Sequence, residues 1–312
     1  MKTHSTKQAL AVALAGERRE GRTVGFVPTM GALHAGHLSL LQRARADNDV
    51  VVASVFVNPL QFGPSDDLAR YPRDLEADAA LAAGAGVDHL FAPDVAEMYP
   101  QGSIATRVDV GPIGDIGEGA WRPGFFAGVA TVCCKLFHIV GPDRAYFGQK
   151  DAQQLAVIRQ LVADLDLPLE IVGCPTVREH DGLALSSRNA YLDPEARRAA
   201  PALAAALMAA RDAAAGGEES AAELRWIVET CLEAEPGIHL QYVDLFDPAT
   251  FSALERLDGR GVLAAAAYVA GTRLIDNVEL VSPALQPERA AGLATEVGAG
   301  MNRAAGMKRG AA

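Results

Sequence analysis

Apolar residues in the first two thirds of the chain alternate between short continuous runs and stretches where they recur every three or four positions. "TVGFVP" predicts a strand, rich in β-branched and aromatic residues, that Pro28 ends. "HLSLLQRARAD" predicts a helix with Leu38, Leu41 and Ala44 on one face. "VVVASVFVN" is apolar almost throughout, the pattern of a strand buried on both faces of a parallel sheet. There follow "DLEADAALAAGAG" as a helix stopped by glycine, "DHLFAP" as a strand and "GVATVCCKLFHIV" as a buried helix. "DRAYFG" and "LEIVGCPTV" predict further strands around the periodic helix "DAQQLAVIRQLVADLD". Strands alternating with helices predict an α/β fold with a doubly wound, Rossmann-like parallel sheet.

The texture changes after "SSRNAYLDP". Residues 194–235 are alanine-rich and helical, and "IHLQYVDLF", "GVLAAAAYVA" and "TRLIDNVEL" then predict strands with no helices between them. A boundary near Arg188 is therefore expected. It divides a Rossmann-like domain (1–187) from a smaller α+β C-terminal lid domain (188–284). The small and polar segment 285–312 is expected to be a disordered tail. No internal repeat is visible.

Composition narrows the function. The chain has 312 residues, half of them apolar and 21% charged, which suits a soluble globular protein with a real core. Its 28 basic and 39 acidic residues give a net charge of −11. That field repels nucleic-acid backbones, so no nucleic-acid partner is expected, and any anionic ligand must be captured by a local cluster of donors. Cys133, Cys134, Cys174 and Cys231 form no C-x-x-C pair, so buried reduced thiols are expected. The N-terminal apolar piece is broken by Gly16 and by charges, which argues against a secretory signal and leaves the Val24 strand as the expected first core element. No apolar run approaches the roughly 18 residues that span a bilayer. A cytoplasmic protein with no membrane partner is expected.

Candidate chemistry gathers at strand ends. In "PTMGALHAGHLSLL", Gly31 and Gly36 flank His34 at a strand-to-helix turn, where unpaired N–H groups can meet an anion. His34 and His37 lie close to one helical turn apart. A phosphate site, a metal site or a structural pair are the open readings. Metal falls away because the spacing is not that of H-E-x-x-H and no second ligand cluster accompanies it. "FVNPLQF" sets Asn58 and Gln61 at the ligand edge of the sheet. Asn58 serves turn chemistry as readily as a ligand, whereas Gln61 is expected to touch one. "FGQKDAQQ" brings Lys150, Asp151 and Gln154 to a second strand-to-helix turn, where Asp151 either caps the helix or faces the ligand. Ser186, Ser187 and Arg188 in "DGLALSSRN" form either an anion clamp or a polar linker, and Arg122 in "RPGFFAGV" either a ligand contact or a surface loop.

The histidine pair and the Ser/Arg loop resemble the HIGH and KMSKS elements of class I synthetases and nucleotidylyltransferases. The longer words "VPTMGALHAGHLSL", "FVNPLQF", "YPRD", "RPGFFAGV", "QKDAQQLAVIRQLV", "PTVREHDGLALSSRNAYL" and "TRLIDN" make the chain closely similar to the pantothenate synthetase (pantoate–β-alanine ligase) family, over roughly residues 5–282. The resemblance implies two steps. Pantoate's carboxylate attacks the α-phosphate of ATP to give pantoyl adenylate and pyrophosphate, and the amine of β-alanine then displaces AMP. ATP as co-substrate and Mg²⁺ are implied, with no organic prosthetic group, and so is a homodimer. Carried over by motif, Met30, Gly31, Ala32, Leu33, His34, Ala35, Gly36 and His37 line the ATP site, with His37 as the family's proton donor. Gly148, Gln149, Lys150, Asp151, Val177, Leu185, Ser186, Ser187 and Arg188 complete it. Gln61 and Gln154 hold pantoate, and Gln61 also meets β-alanine. The implied catalytic set is His34, His37, Lys150, Ser186, Ser187 and Arg188; no metal ligands are identified. Phe125 stands where many members have histidine, and Gln149 where glutamate is common. Two rivals remain: a nucleotidylyltransferase acting on a phosphate acceptor, which should show extra cations near Gln61, and a non-catalytic nucleotide-binding module.

Overall fold

The apolar runs become the strands of one parallel sheet. The computed structural model describes residues 1–63, 68–102 and 104–285. Its first elements are β1 (Lys2–His4), α1 (Lys7–Arg19), β2 (Val24–Thr29), α2 (Ala35–Asp47) and β3 (Val50–Val55). After these come α3 (Leu75–Gly84), β4 (His89–Phe91), α4 (Val95–Met98), α5 (Glu118–Trp121) and α6 (Phe125–Val140). β5 (Arg144–Gly148), α7 (Ala152–Asp164) and β6 (Glu170–Cys174) complete the set. The strands lie in the order β1-β4-β3-β2-β5-β6, all parallel.

Alternate residues of each strand feed opposite faces. Val24, Phe26, Val50 and Val52 pack with Leu10 and Leu14 of α1, Leu136 of α6 and Ile158 of α7. Val27, Val51 and Ala53 pack on the other face with Leu40, Leu41 and Ala44 of α2 and Ala82 of α3. β3 is buried on both sides for this reason.

Two departures from the sequence reading stand out here. Val24 does not open the core: β1 and α1 precede it, and Leu10 and Leu14 are fully buried, each contributing on the order of 1.5–3 kcal/mol. α1 tolerates Gly16 because nothing packs on that position. All four cysteines are free, but only Cys133 and Cys174 are buried; Cys134 is half-buried and Cys231 exposed. Burial pushes the Cys133 thiol up to about 12.

The second module contains α8 (Pro194–Ala199), α9 (Pro201–Gly216), α10 (Ala221–Glu233), β7 (Ile238–Phe246), β8 (Arg260–Val269) and β9 (Thr272–Val281). The strands form an antiparallel sheet in the order β7-β8-β9. Leu203, Leu207, Leu224 and Val228 of the helices pack with Leu263, Ala265 and Val278 of the sheet. Phe246, Phe251, Val262 and Ala264 belong instead to the core of the parallel sheet, so the modules share apolar contacts. Leu285 ends a short turn, and residues 286–312, nearly all of the expected tail, lie outside the described residues. Among the described residues no helix is long and apolar enough to cross a membrane.

Candidate active site

The sheet itself opens the site. β2 pairs with β3 along six residues but with β5 only at Gly25–Arg144 and Phe26–Ala145. Beyond Phe26 the two central strands diverge, at the point where strand order reverses and open α/β sheets bind ligands. The resulting cleft encloses about 740 Å³ between the two modules. Met30, His34, Gly36, His37, Gln61, Gly148, Lys150, Asp151, Gln154, Val177, Leu185, Ser186, Ser187 and Arg188 all line it.

The histidine turn is built from its own donors. Gly31 has φ +85, which glycine adopts freely, and Ala32 φ +51, strained for a residue with a Cβ; together they reverse the chain after β2. A Cβ at Gly31 would meet Asp78 Oδ2 at 2.7 Å. Asp78, buried on α3, accepts from the N–H of Ala32 (3.0 Å) and of Leu33 (2.7 Å). The N–H of Gly31 donates to Thr29 Oγ1 at 3.2 Å. His34 is the N-cap of α2: its Nδ1 accepts from Gly36 N–H at 3.1 Å, while its own N–H donates to His37 Nδ1 at 3.3 Å. These backbone donors of the turn are therefore engaged within the protein. What the turn offers the cleft is side chains.

Those side chains are neutral. With both Nδ1 atoms accepting, each ring carries its hydrogen on Nε2. The rings lie 4.1 Å apart. Desolvation, then His34 and Lys150, pushes the His37 pKa down to about 3. Desolvation and Lys150 lower that of His34, with Asp151 opposing.

The amide wall is equally organised. Asn58 is 1% exposed and spends its side chain internally, accepting from Tyr99 OH (2.8 Å) and Leu60 N–H (3.3 Å) and donating to Gly128 O (3.2 Å) and Gln61 Oε1 (3.0 Å). It is turn chemistry that also orients Gln61, whose Nε2 contacts Met30 Sδ at 3.2 Å. Gln154 also lines the cleft, as does its neighbour Gln153, which is buried and bonded to Glu118 N–H, Ile113 O and Ile116 O. Arg122 is a cleft residue: its guanidinium covers the Phe125 ring at 3.8 Å and donates to Gln61 O at 3.3 Å.

Lys150 lies in a 3-10 turn, Gln149–Asp151, with its ammonium 4.0 Å from Asp151. Asp151 makes no capping bond to α7, so helix capping does not explain it. Ser186 Oγ accepts from Arg188 N–H (3.3 Å), and Ser187 Oγ lies 3.5 Å from Tyr71 OH.

A family model described as "Pantoate-beta-alanine ligase" matches residues 2–279. The chain belongs to that family. A pantothenate synthetase of Moorella thermoacetica is 55% identical over 280 residues, covering 90% of this chain and 99% of that protein. The crystal structure of a Thermus thermophilus pantothenate synthetase superposes with a TM-score of 0.84 at 54% identity, covering 89% of this chain and 99% of that one. A Francisella tularensis pantoate-β-alanine ligase, crystallised with "Beta-gamma ATP" and β-alanine, has a TM-score of 0.73 at 36% identity, covering 89% and 97%.

Five of the residues that the family pattern suggested for the nucleotide do not line the cleft: Gly31, Ala32, Leu33, Ala35 and Gln149. Leu33 is buried under α2, and the first three of them form the strained turn that Asp78 holds. The Gln149 side chain donates to Glu279 Oε1 at 3.1 Å, which leaves its backbone as the part that could meet a nucleotide. Sequence reasoning missed Asp78, a carboxylate in an alanine-rich helix whose only signal is a charge at a buried position. It also missed Glu118, which takes Arg273 in a bidentate pair at 2.6 and 2.7 Å on the cleft wall.

Proposed function

We propose that the protein condenses (R)-pantoate with β-alanine, using ATP, to give pantothenate, AMP and pyrophosphate through a pantoyl adenylate. The observation that carries this reading is one cleft holding the histidine pair, Lys150 and the Ser186–Arg188 loop together with the amides of Gln61 and Gln154. Membership of the ligase family supports the choice of substrates.

In the first step a pantoate carboxylate oxygen bonds to the α-phosphorus, and the bond from that phosphorus to the bridging oxygen breaks. The electron pair leaves with pyrophosphate. His34 and His37 donate Nε2–H to the phosphates, and Lys150, Ser186, Ser187 and Arg188 supply further donors where charge grows. A neutral His37 gives a hydrogen bond rather than a proton; it becomes an acid only once bound phosphate raises its pKa. Gln61 and Gln154 donate to and accept from pantoate's hydroxyls and carboxylate, and Gln61 meets β-alanine in the second step. Of the cleft carboxylates, Glu118 and Asp276 are each held by an arginine, leaving Asp151. Among the described residues no group of three metal-ligating side chains exists; Mg²⁺ would enter with the ATP phosphates, whose charge it would neutralise, with Asp151 the carboxylate nearest to hand. The modules at 1–187 and 188–284, a homodimer and a cytoplasmic location complete this reading.

A transferase with a phosphate acceptor gains some support from Arg122, a cation beside Gln61 that sequence spacing did not reveal. Pyrophosphate release with ATP and Mg²⁺, adding pantoate and β-alanine separately and together, decides between them. Pantoate-dependent release is expected; release that ignores pantoate but needs a phosphorylated acceptor would overturn the ligase. His37→Ala should remain folded and nearly abolish adenylate formation, and near-wild-type turnover would refute its role at the phosphates.

A further inference from the structure

β9 carries polar side chains in "TRLIDN" that the two chemical steps leave unused, among them Arg273, Asp276 and Asn277. Asn277 is 7% exposed and directs Nδ2 at two carbonyls, Lys150 O at 2.7 Å and Gln149 O at 3.0 Å. Those carbonyls belong to the 3-10 turn that projects Lys150, and no side-chain cap of its own fixes that turn. The aim of the Lys150 ammonium thus depends on a strand from the other sheet.

Asp276, 4% exposed, grips Arg178 at 2.6 and 2.9 Å. Arg178 donates as well to Gly182 O (3.1 Å) and Asn277 O (3.2 Å). Arg178 pairs with Ala184 across a small hairpin, and Leu185 N–H donates to Val177 O. This hairpin leads directly into Ser186, Ser187 and Arg188. Two adjacent residues of one strand therefore hold the lysine turn and the Ser/Arg loop of the cleft in a single frame.

We propose that Asn277 is a positioning residue for adenylate formation, setting the Lys150 ammonium against the ATP phosphates, while Asp276 holds the Ser186–Arg188 segment through Arg178. This rests on the reading of the cluster as a phosphate site. On it the second sheet acts as the alignment frame of the reaction. A displacement of about 1 Å at a positioning group can cost on the order of 10²-fold in rate, so small losses of registry at this turn are readable.

The test is a double-mutant cycle in the full chain with Asn277→Leu, which keeps the branching at Cγ and removes the donors, and Lys150→Ala. Folding is checked by circular dichroism, and the readouts are pantoate-dependent pyrophosphate release and MgATP binding by calorimetry. Asn277→Leu should lower kcat about tenfold or more with little change in the KM for pantoate. In the Lys150→Ala background it should change either readout by less than about twofold. A full multiplicative loss in that background, or a wild-type rate in Asn277→Leu alone, would overturn the positioning role. Wild-type behaviour of Lys150→Ala would instead bring down the phosphate reading, and the proposal with it. If Asn277→Leu does not fold, Asn277→Ser carries the same cycle, and where rates are too low the binding arm decides.

Discussion

His37 is held neutral, and the pH dependence that follows has a definite sign. Its folded pKa of about 3 lies below the ordinary 6.5, so the unfolded chain takes up the proton first as pH falls. The stability it supports is complete above about pH 6.5 and is lost progressively toward pH 3. His37→Asn keeps an acceptor for the His34 N–H and removes this titration. Denaturant melts should show it losing less stability than wild type between about pH 6.5 and 4; an unchanged acid slope would refute the argument. The same variant should release pyrophosphate about 10²–10³ more slowly. Asp78→Asn turns one of two acceptors on the strained turn into a donor, and should cost about 1–3 kcal/mol by chemical denaturation while lowering adenylation. The histidine pair was legible because its spacing is local. Asp78 was not, since its partners lie 45 and 46 residues away.

At the scale of elements, the continuous apolar strands and long periodic helices could be read directly, and the short polar ones could not. β1 is only "KTH", with no apolar alternation to mark it, and becomes a strand through its pairing with β4. β3 ends at Val55, short of the apolar run, because Asn58 caps a turn instead of extending the strand. Gln149 is a more specific case. A glutamate at this position would face Glu279, to which the amide of Gln149 donates. Gln149→Glu should therefore cost up to about 1 kcal/mol, shrinking as salt is added. Glu279→Gln in the same protein should restore the loss, and a thermal melt of the four variants reads both effects.

Across the whole molecule, texture in the sequence separates two modules, but it does not show that they share a core. Phe246 and Phe251 stack at 4.5 Å and, with Val262 and Ala264, are buried with the helices of the parallel sheet. Scanning calorimetry should therefore find one cooperative transition. Phe251→Ala should lower stability by about 3–5 kcal/mol without splitting that transition into two; two separate peaks in the wild type would contradict this. The placement of β9 has a consequence in time. A ribosome delivers the histidines, then the lysine turn, then the Ser/Arg loop, and only long afterwards Asp276 and Asn277. A nascent chain halted before Thr272 holds the histidines, Lys150 and the Ser186–Arg188 loop but neither the strand that aligns them nor the pairing of β8 with β9. On the proposed function, a chain without β9 should bind MgATP weakly and release no pantoate-dependent pyrophosphate, so the last strand made would decide when activity begins.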